Sequence, residues 1–271
     1  MPSTNRRLTY GVVLAVACLA GTAGLLMWRA RAARMLTTRK AAEMQRLGSF
    51  QLQRERLVRE KHQRARQQAE RDKALNQFPG LADLEAKQVF FVYEDGCPIF
   101  VSFANVVPLP SDDQLEGLAQ FKTLRTISLE RAPISGRGFA YLESLPLEAI
   151  ALTETLVDDN GLAVIASFSQ LEELYLSRTL ITDQGIDLVA HLPRLRKLSL
   201  AGTSIGNASV QHLRRITSLE SLDLMGTAID SGDVLALQVL PNLKHLTLDK
   251  RLENARDTLE AALPGCKISF R

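Results

Sequence analysis

Between Leu171 and Asn242 the chain spells one phrase three times. Each copy opens with Leu-x-x-Leu-x-Leu, at Leu171/Leu174/Leu176, Leu195/Leu198/Leu200 and Leu219/Leu222/Leu224. Thr179, Thr203 and Thr227 follow three residues later, and Ile181, Ile205 and Ile229 two residues after those. A fixed period of about 24 residues is too short for a domain and implies a solenoid of stacked units. A single unit buries too little apolar surface to offset the cost of ordering it, so the units fold only by stacking.

One repeat can be read residue by residue. Leu174, Tyr175 and Leu176 alternate in, out and in, as a short strand requires. Thr182 can cap a helical return, with Asp183 in its first turn. Ile186, Val189 and Leu192 are three apart and share one face of that return. Pro193 then stops the helix and delivers the chain to the next strand.

This phrase resembles the bacterial leucine-rich-repeat proteins built from Leu-x-x-Leu-x-Leu-x-x-Thr-x-Ile-x-Asp-x-Gly-Leu units. These are cousins of the cysteine-containing repeats of F-box proteins, in the ribonuclease-inhibitor-like class. The resemblance covers about 100–271 and implies an α/β fold, with parallel strands on a concave face and helical returns on the convex face. It also implies that Thr155, Thr179, Thr203 and Thr227 form a ladder satisfying backbone groups of the neighbouring turn.

Further repeats open at Leu124, Leu147 and Leu243. The first has Ala132-Pro133-Ile134 in place of the threonine, and the fourth has Asn207 and Ser209 in place of Asp and Gly. The sixth loses the turn signature at Arg251 to Asp257 and runs through a helix to a last strand, Cys266 to Phe270. Ahead of the repeats, Val89 to Tyr93 and Ile99 to Phe103 read as a hairpin across Glu94-Asp95-Gly96-Cys97-Pro98, placed to cap a raw apolar edge. Ser111 and Gln114 have capping-box spacing.

The front of the chain differs in charge. Residues 1–78 hold 16 basic and 5 acidic side chains, and 79–271 hold 17 basic and 25 acidic, so the overall +3 conceals a basic front and an acidic solenoid. Tyr10 to Trp28 is 19 residues without a charge, flanked by Arg6, Arg7, Arg29 and Arg31. As a helix it approaches the thickness of a bilayer core, so a membrane anchor is expected. The alternative is a cleaved signal peptide, with Gly21-Thr22-Ala23 as a poor cleavage site. Ala17/Gly21 and Ala20/Gly24 have a small-xxx-small spacing that permits weak self-association of the span. Arg29 to Gln77 favours a helical stalk, without a heptad stripe and with Gly48-Ser49 as a candidate break. The expected division is a tail at 1–9, a transmembrane helix at 10–28, a basic stalk at 29–78, a capping hairpin and partial repeat at 79–123, and repeats with a terminal cap at 124–271.

No cofactor, metal or catalytic site is expected. His62, His191, His212 and His245 lack ligand spacing. Asp112-Asp113 and Asp158-Asp159 sit at helix starts, where they complement the helix dipole. Three cysteines suggest no disulfide framework. Between Arg29 and Gln77 the only aromatic residue is Phe50, so the stalk offers no stacking platform for specific nucleic-acid binding. The expected function is a membrane-tethered, non-catalytic scaffold that meets an unknown protein partner through its concave face, with the bilayer gripped by the apolar helix. Outward residues of that face include Arg125, Glu173, Tyr175, Lys197, Ser199, Asp223 and His245, and Tyr175 is the aromatic anchor among them. A second reading, by analogy with F-box proteins, is a substrate-recruiting subunit of an enzyme complex, although no F-box-like domain precedes the repeats. An enzyme in its own right is the third.

Five positive residues follow the apolar run closely (Arg29, Arg31, Arg34, Arg39, Lys40) and two precede it (Arg6, Arg7), which favours a cytoplasmic solenoid. A periplasmic or extracellular solenoid is the alternative, if the run acts as an uncleaved export signal. The strand register is itself testable by denaturant titration. Leu198→Ala is expected to cost about 2–5 kcal/mol, and Ser199→Ala, facing out, under about 0.5 kcal/mol.

Overall fold

The computed structural model describes residues 38–78 and 80–271, so the apolar run at 10–28 lies outside the described residues. Among the described residues, no helix is long and apolar enough to cross a membrane. The first element is α1, Thr38–Gln77, which runs unbroken through Gly48 and Ser49. The expected break does not form. One glycine costs about 1 kcal/mol of helix stability, and the Arg, Gln, Glu and Ala around it offset that. Side chains from Arg56 to Ala69 are exposed. The chain divides into two compact units, with the boundary inside α1 at Arg66 and Gln67.

The second unit is built on one nine-stranded sheet whose strand order follows the sequence. Strands β1 (Phe90–Glu94) and β2 (Cys97–Ser102) form an antiparallel hairpin. Asp95 and Gly96 turn it with φ of 53° and 79°, the paired left-handed geometry that suits Asp-Gly. The rest of the sheet is parallel: β3 (Thr126–Ser128), β4 (Ala149–Ala151), β5 (Glu173–Tyr175), β6 (Lys197–Ser199), β7 (Ser221–Asp223), β8 (His245–Leu248) and β9 (Lys267–Phe270). Val101, Ile127, Ile150, Leu174, Leu198, Leu222, Leu246 and Ile268 stand in one register line and are all buried. From β2 to β9 the chain stacks as a leucine-rich-repeat-like solenoid.

The first two returns are 3-10 helices, Asp112–Gln120 and Arg137–Leu142. The returns become α-helices in the regular repeats: α3 (Asp159–Ile165), α4 (Asp183–Val189) and α5 (Asn207–Leu213), followed by the shorter α6 (Ser231–Val234). Helix α4 ends at Val189, ahead of Pro193, and Ile186, Val189 and Leu192 are buried as their spacing requires.

Hydrogen bonds between repeats continue beyond the three-residue strands. The N–H groups of Leu152, Leu176, Leu200 and Leu224 donate to the carbonyls of Tyr175, Ser199, Asp223 and Thr247 at 2.8–2.9 Å. Two residues on, the chain must swing from strand to return. Arg131, Glu154, Arg178, Gly202 and Gly226 all take it there with φ between 55° and 67°. The buried threonines lie just beyond. Thr155, Thr179, Thr203 and Thr227 donate to Leu152, Leu176, Leu200 and Leu224 carbonyls at 2.6–2.7 Å. Each thus closes the turn of its own repeat, where the family resemblance implied the neighbouring one.

Both ends are closed by side chains that replace a missing repeat. At the front, Phe78 and Phe91 meet Phe121 edge-on at 5.3 and 5.6 Å. Ala74 in α1 and Leu81 in α2 (Leu81–Ala86) are fully buried with them. Arg71 donates to both Glu85 oxygens, and the Tyr93 hydroxyl donates to Glu85 Oε1 at 2.6 Å. Burial pushes the Glu85 carboxyl up, but its bonds to Arg71 and Tyr93 outweigh that and hold it low. The cap therefore reaches back into the end of α1. At the rear, the Arg251 guanidinium donates to the Thr227 and Ile229 carbonyls. The Ile134, Val157 and Ile205 carbonyls, equivalent to that of Ile229, take an N–H from the following repeat. Arg251 imitates that N–H where the turn signature has been lost.

The left-handed column gives a direct test. A Cβ at Gly226 would meet nothing nearer than 3.6 Å, so its cost is backbone strain alone. Gly226→Ala is expected to lose about 1–2 kcal/mol in urea titration, with Gly226→Asn losing less.

Candidate protein-binding face

Outward residues of the strands form two rows across the open face of the sheet. The register aligns Thr126, Ala149, Glu173, Lys197, Ser221, His245 and Lys267 in one row. Ser128, Ala151, Tyr175, Ser199, Asp223, Thr247 and Ser269 form the other. Arg125 is not in these rows. It precedes β3, its carbonyl accepts from the Glu148 and Ala149 N–H groups, and Thr126 takes the outward position expected of it.

The structure brings three of the expected residues into one cluster. Glu173 and Lys197 are register partners, and Lys197 Nζ donates to Glu173 Oε1 at 2.7 Å. The Tyr175 hydroxyl donates to the other oxygen, Oε2, at 2.8 Å. Tyr175 is half-buried; burial first, and the Glu173 carboxylate second, push its phenol well above the ordinary range. The half-buried tyrosine is thus tethered through its hydroxyl. The other three residues make no bond to this cluster, although Ser199 is the register partner of Tyr175. Ser199 Oγ pairs with Ser177 Oγ at 2.7 Å, which raises the expected cost of Ser199→Ala toward about 1 kcal/mol. Asp223 Oδ1 accepts from the Met225 N–H at 3.0 Å and so serves its own turn. His245 is exposed between Ser221 and Lys267.

Alongside these rows runs a ladder of charges one residue before each strand. Arg196 bonds to Glu220 and lies 3.8 Å from Glu172, and Lys244 reaches Glu220 Oε2 at 2.7 Å. Signs alternate along Glu172, Arg196, Glu220 and Lys244, so neighbouring repeats neutralise each other.

Two features of the site were absent from the sequence reading. The hairpin contributes Phe90 and Phe100 to the open face, since Phe91 and Val101 beside them point into the core. Their rings meet edge-on at 6.1 Å, and Phe90 is 58% exposed. The signal was the alternation of the hairpin strands, read as a lid over the core without regard to its second face. The other feature lies on the return side. Asp112 accepts from the N–H groups of Ser135, Gly136 and Gly138, Asp159 from Thr182, and Asp183 from Gly206. Asn207 accepts from Asp230 N–H and donates to its carboxylate. These side chains tie each helix start to the next, beyond any effect on the helix dipole. Asn207, which departs from the repeat, keeps the same role.

Among the described residues, no group of three or more His, Cys, Asp or Glu side chains could hold a metal ion. One polar cluster lies on the helical side. Asp187 Oδ1 accepts from His212 Nδ1 and Arg215 at 2.8 Å, and these bonds, His212's foremost, hold its carboxyl low. Cys97 and Cys266 are free thiols.

No family model matches the chain. No curated protein matches it either. Among solved structures it is similar to an internalin C2 of Listeria monocytogenes at 20% identity and a TM-score of 0.49, over 64% of this chain and 80% of that one. A second Listeria internalin, of the F type, matches at 21% identity and a TM-score of 0.40, over 56% of this chain and 49% of that one. A leucine-rich-repeat protein of Leptospira interrogans matches at 19% and 0.40, over 57% of this chain and 45% of that one.

The charge ladder has a pH signature. Bonds from Lys244 and Arg196 hold the Glu220 carboxyl below its ordinary range. A lowered carboxyl stabilises the fold above the unfolded value, near about pH 4.3, and that stabilisation is lost as pH falls through the folded value. Glu220→Gln should therefore lower stability by about 0.5–1 kcal/mol near pH 7. In melting experiments the gap from the parent chain should narrow as pH falls below the ordinary carboxyl value of about 4.3.

Proposed function

We propose that this protein is a membrane-tethered interaction module whose open sheet face binds another protein. The observation that carries this reading is the face itself. It is a continuous surface of nine strands, and its aromatic side chain at mid-face, Tyr175, is fixed by Glu173 without being buried in the core. Such a ring presents a large contact area at little entropic cost. The tether rests on Tyr10 to Trp28, whose length without charge matches a bilayer core. The excess of positive residues after that run supports a cytoplasmic solenoid. Protease treatment of intact cells carrying a tag after Arg271 checks the side: the tag should survive until the cells are lysed.

The binding reading is tested by cross-linking in membranes that carry the tagged full chain. A stoichiometric protein partner should be recovered. Tyr175→Ala should reduce its recovery about tenfold while leaving the melting temperature of the solenoid within a few degrees. Undiminished recovery with Tyr175→Ala would move the interface away from this face.

A further inference from the structure

We infer that the binding site proper is the N-terminal third of the open face, and that its occupant is an uncharged segment of another protein carrying one aliphatic or aromatic side chain. The inference rests on the protein-binding reading of this face. Strand β4 presents Ala149 and Ala151, the only outward pair of alanines among the described strands. On one side of them stand Phe90 and Phe100 of the hairpin, and on the other stands Tyr175 of β5. From β2 to β5 is three strand spacings, about 14 Å. The short side chains of β3 and β4 therefore form a low floor between aromatic walls, wide enough to seat one large apolar side chain and its flanking backbone.

The exposure of Phe90 argues that the site is incomplete alone. Core packing does not need that ring, since Phe91 and Tyr93 fill the inward positions of the same strand. An aromatic ring left 58% exposed on an edge strand keeps apolar surface in water. Covering it is favourable for any neutral partner of suitable shape.

Charge selects the chemistry of that partner. The outward residues of β2, β3 and β4 carry no charge. The nearest carboxylate in these rows, Glu173, already accepts from Tyr175 on one oxygen and Lys197 on the other. The exposed Arg125 and half-buried Glu148 precede β3 and β4 and stand beside the floor, outside its two rows; a charged side chain seated on the floor itself would lose water with no charge beneath it, at a cost a neutral side chain avoids. The rival location is the far end of the face, where Lys267 and His245 would suit an acidic segment.

A display experiment on the full chain, held in detergent micelles, separates these outcomes. The probe is a phage library of random dodecapeptides. Enriched peptides are expected to share one aliphatic or aromatic position in a neutral context. Their binding should fall about tenfold or more with Phe90→Ser and with Ala149→Arg, and should hold with Lys267→Ser. Ala149→Arg adds bulk only on the solvent side, so an unchanged melting temperature keeps the test valid should Phe90→Ser prove unstable. Acidic consensus peptides that are lost on Lys267→Ser would overturn this site and leave the face reading intact. Peptides insensitive to all three substitutions, or no enrichment at all, would overturn both.

Discussion

The backbone groups of the parallel strands depend on the next repeat standing one fixed spacing away. The parallel strands β3 to β7 are three residues long, and their N–H and carbonyl groups are satisfied only across the repeat boundary. The leucine column behind them is buried only because the same residue recurs at that spacing. Constant period is therefore the condition for both hydrogen bonding and burial. Where the period ends, something chemically different must supply what a neighbour would have given. Phe78, Phe91 and Phe121 supply apolar cover at the front, and the Arg251 guanidinium supplies donors at the rear.

The same condition explains what was legible in the sequence. Leu174, Leu198 and Leu222 recur because stacking demands them, so the fold could be read from letters alone. Roles that need the distance between repeats could not be read. Asp159 looks like a dipole-complementing residue at a helix start until Thr182 is seen beside its carboxylate. The left-handed turn was also hidden. Glycine marks it at Gly202 and Gly226, but Arg131, Glu154 and Arg178 adopt the same φ without glycine's signature. The register places Thr126 in the outward row of the first repeat and leaves the exposed Arg125 one residue ahead of the strand.

The site was legible to the same degree. Alternation placed Tyr175 outward, and a spacing of one repeat placed Lys197 opposite Glu173. Their joining through one carboxylate follows from that spacing and the length of a lysine side chain. Phe90 and Phe100 escaped because a hairpin that caps a core is naturally read by its buried face. Yet a strand has two faces, and the parallel pairing of β2 with β3 carries the hairpin's second face onto the open side of the sheet.

Regularity and the proposed site then occupy different places in the solenoid. Charges that recur at one-repeat intervals, such as Arg196 and Glu220 or Lys197 and Glu173, satisfy one another and leave little for a partner. Exposed ion pairs of this kind add modestly to stability and tolerate water well, so stacking alone accounts for them. Stacking does not account for two alanines in β4, a tethered tyrosine in β5 and two phenylalanines on the outer side of the capping hairpin. These side chains face outward, so burial of the core does not call for them. The apolar choices cluster where the repeat pattern is weakest, between the cap and the first regular repeat. There the chain is free of the demand for periodicity, and a surface can be shaped for a partner without breaking the ladder that holds the solenoid together.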